Sequence, residues 1–337
     1  MGEPRARKGS FLWHLQARTR SEIDKEDEVE QLGHPVRIIS ISFPNGRTLQ
    51  EIAQVVDVEA VKGCDVVALP ETWLGLSEHD PEPLDGTTIT TMAALAKKHY
   101  TYIVCPIDRS DGNHRFNPSV LIDRAGRVVG VYDKLYPPWA ELDADSPIEV
   151  GLEAHVFETE FGRVGLAICF DACLLGFWKR LADQGAELVV WSGAYSGGTT
   201  LQAHALMNHF YVVASTQKSD CTVYDIAGEE ILYEKGTDLN VTHITLDLDK
   251  GIYHHDFNLE KRDTLLEEHS ADVVQEKRFA REQWFVLKAR RPGVSVRALA
   301  REYGMEELHG YIDRSRRRID KIRGWAFVDG LRHRLHD

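Results

Sequence analysis

Gly162-Arg-Val-Gly-Leu-Ala-Ile-Cys-Phe-Asp171 decides how this chain reads. Val164–Ile168 is a short, continuous apolar run, the pattern of a strand covered on both faces. It ends by delivering Cys169, and Leu174–Asp183 then reads as a helix. A strand that presents a thiol at a turn before a helix is a good place to build a nucleophile. The thiol alone carries little weight, because free cysteine is among the most buried residue types.

Working outward, Val- and Ile-rich runs alternate with helical patterns. Val36–Phe43, Val66–Leu69 and Tyr102–Ile107 read as strands, with helices at Thr48–Val61 and Thr88–Tyr100. Ser119–Asp123 and Arg127–Tyr132 form a hairpin across Arg124-Ala-Gly126, where Gly supplies the positive φ of a tight turn. The second half repeats the rhythm. Ala154–Glu158 and Val164–Ile168 flank Phe161-Gly162. Leu188–Trp191 and Tyr211–Ser215 are strands around a helix at Leu201–Asn208, and Thr222–Asp225 and Glu229–Tyr233 flank Ile226-Ala-Gly228. Val241–Asp247 closes the set. Helices alternating with buried strands make this an α/β chain. Two similar mixed sheets stacked face to face, with helices outside, bury such runs in a four-layer α-β-β-α sandwich over about residues 35–255.

Composition bounds the rest. The chain has 337 residues, 43% apolar and 28% charged, ordinary for a globular protein. No apolar stretch approaches the roughly 18 residues of a membrane span. Residues 1–34 read as a polar, disordered lead-in without the apolar core of a secretory signal. The five cysteines make no CxxC pair, which argues against a disulfide framework or a structural zinc site and fits a reducing cytoplasm. No metal site is expected. The net charge of −13 disfavours nucleic acid as the main partner, yet residues 277–334 carry +9.

Three charged residues upstream also stand where strand-like runs end. Glu71 follows Ala68-Leu-Pro70, Lys134 ends Gly130-Val-Tyr-Asp-Lys134, and Glu141 lies seven residues further on. Each alone is what a solvated loop charge looks like. Together with Cys169 they meet the needs of thiol acylation. A carboxylate takes the thiol proton and later returns it to the leaving amine, and a cation faces the developing oxyanion. Trp73, Trp139, Trp191 and Tyr195 are candidate pocket walls, with core packing as the alternative. His254-His255-Asp256 reads as a polar loop rather than a metal or base cluster, and there is no GxSxG elbow or phosphate-binding glycine loop.

At these residues the chain resembles the nitrilase superfamily of carbon–nitrogen hydrolases. The resemblance covers about residues 36–250. It rests on Leu69-Pro-Glu-Thr-Trp73, on Asn117-Pro-Ser-Val-Leu-Ile122 leading to Lys134, and on Gly162–Asp171, in that order. It implies the four-layer sandwich, Glu71 as general base, Lys134 as oxyanion-stabilising cation and Cys169 as nucleophile. It implies the Phe170 N–H as second oxyanion donor and Glu141 as the second glutamate, with no cofactor. The expected substrate is a small amide or N-carbamoyl compound, with a nitrile as the alternative. Cys169-Phe-Asp171 is more similar to the amidase and carbamoylase branches than to true nitrilases. Ala172-Cys-Leu-Leu-Gly176, His204 and Met207 depart from the pattern of many amide-cleaving members and leave the substrate open.

The basic tail, residues 256–337, is expected as a helical extension, with helices at 275–289 and 294–323 parted by Pro292-Gly293. Val296–Gly304 followed by Met305–Ile319 also has the outline of a helix-turn-helix with Arg314-Ser-Arg-Arg-Arg318 facing phosphate. That pattern suggests a hydrolase-like regulator. The plainer reading packs Leu299, Leu308 and Ile312 on a neighbouring subunit, and the resemblance implies a homo-oligomer built through such segments.

Overall fold

A computed structural model describes residues 33–74, 81–328 and 331–334; most of the expected lead-in lies outside them. The first half runs β1 (Pro35–Ser42), α1 (Leu49–Ala60), β2 (Val66–Ala68), α2 (Thr87–His99) and β3 (Tyr102–Pro106). A small hairpin, β4 (Arg109–Asp111) and β5 (His114–Phe116), leads to β6 (Pro118–Ile122), β7 (Val128–Asp133) and the one-turn helix α3 (Trp139–Leu142). The second half follows with β8 (Val156–Thr159), β9 (Gly162–Ile168), a 3₁₀ turn (Cys169–Cys173), α4 (Leu175–Asp183), β10 (Leu188–Gly193) and α5 (Thr199–Asn208). Then come β11 (Tyr211–Thr216), β12 (Asp220–Tyr224), β13 (Glu230–Lys235) and β14 (Asn240–Asp247).

The strands make two six-stranded sheets, ordered β14-β1-β2-β3-β6-β7 and β13-β12-β11-β10-β9-β8. Each has a parallel centre, β1-β2-β3 and β9-β10-β11, with antiparallel flanks. This is the expected mixed pair. Alternation along β1 and β2 explains the layering. Val36, Ile38, Val66 and Ala68 point into the core shared with Val164, Leu166 and Ile168 of the other sheet. Their neighbours Ile39, Ile41 and Val67 point the other way and pack with Ile52 and Val56 of α1 and Met92 of α2. Each such side chain contributes about 1.5–3 kcal/mol by leaving water, so both faces of the sheet must be covered. The sheets also touch through polar groups, with Ser40 Oγ donating to the Ala214 carbonyl at 2.9 Å.

Local chemistry fixes the connections. Thr48 caps α1 in a capping box with Glu51. The two hairpins use the same device. Asp123 Oδ1 accepts the Ala125 and Arg127 N–H groups, and Asp225 Oδ1 accepts those of Ala227 and Glu229. Gly126 and Gly228 both sit at φ +76°. A Cβ on either would come within 2.6 Å of the helix above, at the Ala93 carbonyl or at Leu206, so glycine is required twice over.

The extension corrects one expectation. Residues 275–289 are not a helix. They lie in β16 (Val273–Phe279) and β17 (Trp284–Ala289), which with β15 (Gly251–His254) form a sheet ordered β15-β17-β16. On this edge strand the charged side chains of β16 reach partners on its neighbours. Glu276 pairs with Lys250 and Lys288, and Lys277 with Asp225 and Glu229. Helices α6 (Leu259–Glu268), α7 (Val296–Glu302) and α8 (Leu308–Ile322) cover this sheet. Tyr253, Leu265, Phe285, Leu287, Val296 and Ala300 form a third core there. Strands β18 (Trp325–Val328) and β19 (Leu331–Arg334) end the described chain.

The α7–α8 pair is present with Gly304 at φ +67° between the helices. Arg314 pairs with Glu306, and Arg316 with Asp183 and Asp313. His254 is buried and stacks on Tyr311 at 4.1 Å, while His255 stacks on Phe285. Both rings help to seat α8 and β17.

Candidate active site

The site forms where the C-terminal ends of the central strands of both sheets meet, the edge at which α/β sheets present ligands. Pro70 stops the run after β2 and leaves Glu71 at its end, 3% exposed. Strands β6 and β7 are antiparallel with Pro118 opposite Asp133. That register puts Asn117 beside Lys134, and the Lys134 N–H donates to the Asn117 carbonyl at 3.0 Å. Cys169 comes from the other sheet, at the end of β9. Ser192 Oγ donates to the Leu69 carbonyl at 2.8 Å and ties the two sheets together at this edge.

Lys134 is the centre of the charge pattern. It is fully buried, and its Nζ lies 2.8 Å from Glu71 Oε1 and 2.7 Å from Glu141 Oε1. Burial alone would lower its pKa. The carboxylates of Glu71 and Glu141 oppose burial and hold it above the ordinary lysine value, so the group is a cation. Burial raises the Glu141 carboxyl, with Lys134 opposing. Asn117 Nδ2 donates to the same Glu71 oxygen at 2.9 Å. Glu71 Oε2 has no hydrogen-bond partner among the described residues. One carboxylate oxygen is therefore anchored twice and the other is open to a proton.

Burial pushes the Cys169 thiol well up, the Glu71 charge adds to this, and Lys134 opposes it. The resting group is a thiol, which needs a base to act. Its backbone has φ +43°, a left-handed conformation that a non-glycine residue adopts only under constraint. Side-chain N–H groups hold three carbonyls of the 3₁₀ turn. Trp191 Nε1 donates to Cys169 at 3.1 Å, Trp178 Nε1 to Asp171 at 2.9 Å, and His204 Nε2 bonds Ala172 at 2.8 Å. Asp171, fully buried, closes the turn from within. Its Oδ2 accepts the Tyr132 hydroxyl at 2.7 Å and the Ile168 N–H at 2.8 Å, and its Oδ1 accepts the Tyr136 N–H at 3.2 Å. Burial raises its pKa to about 7 against these three donors.

The structure thus gathers Glu71, Lys134, Glu141 and Cys169 as the sequence suggested. The proposed pocket walls divide. Trp191 is buried beneath the nucleophile, and the Tyr195 hydroxyl donates to the Cys169 carbonyl at 3.4 Å. Trp73 is a core residue, edge-on to Phe43. Trp139 opens α3 and is 76% exposed. Phe170 is 40% exposed beside the nucleophile. Sequence reasoning passed over Asn117, Tyr132 and Asp171. Asn117 was legible only through the hairpin register, since the residue opposite Lys134 must stand beside Glu71. His204 stacks on Trp178 at 4.3 Å, so this departure from the family pattern has a structural role. Met207 is exposed.

A two-sheet sandwich with a buried lysine bridging two glutamates beside a strained cysteine defines a class of protein. Residues 42–249, more than half the chain, match the carbon-nitrogen hydrolase family model. The chain belongs to that family. It is 28% identical over 201 residues to the nitrilase and fragile histidine triad fusion protein of Caenorhabditis elegans, covering 51% of this chain and 44% of that one. It is 28% identical over 153 residues to beta-ureidopropionase of Arabidopsis thaliana, covering 41% and 38%. Against an omega-amidase of Danio rerio it is 25% identical over 226 residues, covering 58% and 81%. The chain therefore spans about two-fifths of the length of the first two relatives. Among solved structures, Saccharomyces cerevisiae Nit3, a nitrilase superfamily member, superposes with TM-score 0.57 at 16% identity, over 74% of this chain and 98% of that one. An amidase from Nesterenkonia sp. does so with TM-score 0.55 at 18% identity, over 65% and 92%. At these identities the structural likeness speaks for the fold.

Proposed function

We propose that the protein hydrolyses a carbon–nitrogen bond of a small amide or N-carbamoyl compound through a thioester on Cys169. The observation that carries this reading is the buried Lys134 bridging Glu71 and Glu141 beside Cys169, with Glu71 Oε2 free. Glu71 takes the thiol proton as sulfur attacks the carbonyl carbon. The oxyanion is met by the Lys134 ammonium and the Phe170 N–H. Glu71 then protonates the leaving nitrogen, which departs as ammonia or an amine. A water molecule, deprotonated by Glu71, hydrolyses the thioester and restores the thiol. Glu141 keeps Lys134 in place and faces the substrate. The named relatives, an omega-amidase and a beta-ureidopropionase, support amides and carbamoyl compounds over nitriles.

The test is ammonia release over primary amides, N-carbamoyl amino acids and nitriles, with mass spectrometry for an acyl adduct on Cys169. Cys169→Ala is expected to abolish turnover and keep the melting temperature; full activity in that variant ends the thioester mechanism. Release from nitriles alone selects the nitrilase reading. The α7–Gly304–α8 outline supports a regulator reading as well. Arg314 and Arg316 are already paired with acids, and the absence of salt-dependent binding to duplex DNA at low salt removes that reading.

A further inference from the structure

Two cavities lie away from Cys169, at and beneath the C-terminal extension. One of about 380 Å³ is lined from the body by Arg163 and Glu187 and from the extension by Arg297 and Arg301. A second, of about 350 Å³, shares Arg297, Arg301, Glu307 and His309 with it and reaches Tyr253. The two form one cleft of metabolite size.

The acids along this cleft are already engaged. Glu187 accepts from Arg297 at 2.9 Å and from the Arg163 N–H at 3.0 Å. Asp249 accepts the Ser295 hydroxyl and the Val296 N–H at the start of α7. Glu307 lies 3.7 Å from Arg297. Two donors are not engaged. The Arg301 guanidinium makes no ion pair or hydrogen bond with any described residue. Tyr253 lines the second cavity, and its fully buried hydroxyl has no hydrogen-bond partner among the described residues. A buried hydroxyl left unpaired costs about 1–3 kcal/mol, and a free guanidinium presents a planar fork suited to an oxyanion. The neighbouring Asp183–His309–Asp313 group offers no comparable vacancy for a metal ion, since Lys179 and Arg316 neutralise its acids.

We propose that this cleft is a second binding site, for a small anionic ligand whose carboxylate or phosphate is held by Arg301 and the Tyr253 hydroxyl. Strand β9 starts at its wall, at Gly162, and runs into the turn at Cys169, and β10 starts beside it at Leu188 and carries Trp191, whose indole N–H donates to the Cys169 carbonyl. The ligand would thus bridge the extension to the strands that carry Cys169 and its Trp191 support.

The test is calorimetric titration of the full chain with inorganic phosphate and with succinate. Binding of one probe identifies the headgroup. Affinity is expected to fall at least tenfold in Arg301→Gln and about tenfold in Tyr253→Phe, and to be unchanged in Cys169→Ala. Neither substituted residue belongs to the catalytic group, so basal turnover is expected to persist in both. Binding that survives Arg301→Gln and Tyr253→Phe, binding lost with Cys169→Ala, or no binding of either probe overturns the proposal. If Arg301→Gln fails to fold, Tyr253→Phe alone decides, because it removes only the hydroxyl oxygen.

Discussion

Lys134 shows how far a single residue's meaning depends on its neighbours. In the sequence it is one lysine after a strand. In the fold its stem and ammonium are fully buried, and two carboxylates meet it at hydrogen-bond distance. Removing one partner of a buried ion group leaves uncompensated charge and costs about 3–5 kcal/mol. Lys134→Met is therefore expected to lower urea-unfolding stability by about that amount and to abolish turnover. An unchanged unfolding midpoint would mean that water reaches Glu71 and Glu141. The same residue scale separates Trp191 from Trp73. Both are wholly buried tryptophans, and only the indole N–H of Trp191 reaches the nucleophile's backbone.

At the scale of the element, the 3₁₀ turn after β9 is the least ordinary piece of backbone in the site. Its strain at Cys169 is held by Asp171 from within and by three ring N–H groups from outside. Because burial raises Asp171 to about 7 against about 3.9 in the unfolded chain, the folded protein binds the extra proton between those values. Stability from this group is full below pH 4 and falls as pH rises towards 7, by up to about 1.4 kcal/mol per pH unit. Melting temperatures of wild type and Asp171→Asn across pH 4–8 test it. The wild type is expected to lose ground to the variant as pH rises. Parallel curves mean that the Tyr132, Ile168 and Tyr136 donors keep Asp171 ionised. The strand pair β16–β17 teaches the opposite lesson. Its central strand is apolar, but the charged β16 becomes a strand only because β17 and the body's Asp225 and Glu229 lie alongside it. Local sequence cannot see that pairing.

For the whole molecule, the extension has a core of its own around Phe285, while its Ile252, Val286 and Leu308 pack into the core of the sandwich. Phe285 belongs to the extension's own core and is fully buried. Phe285→Ala is expected to cost about 3–5 kcal/mol. Limited proteolysis is the readout, with cleavage first between residues 256 and 328. Simultaneous loss of the body fragment would show that the two cores unfold as one unit. None of the described helices is long and apolar enough to cross a membrane.

The chain's own order of residues determined the alternation of strands and helices, the hairpin turns at Gly126 and Gly228, and the four groups Glu71, Lys134, Glu141 and Cys169. These are local or short-range facts: apolar runs set strand burial, and a residue at a strand's end must stand at a sheet edge. Only the tertiary structure decided that Asn117 meets Glu71 and Asp171 closes the turn at Cys169, that Trp73 is core, that residues 275–289 form a strand pair, and that a donor-rich cleft lies under α7. Each of those depends on which segments distant in sequence come to lie side by side. Sheet register and the packing of one core against another set that, and periodicity along the chain does not encode it.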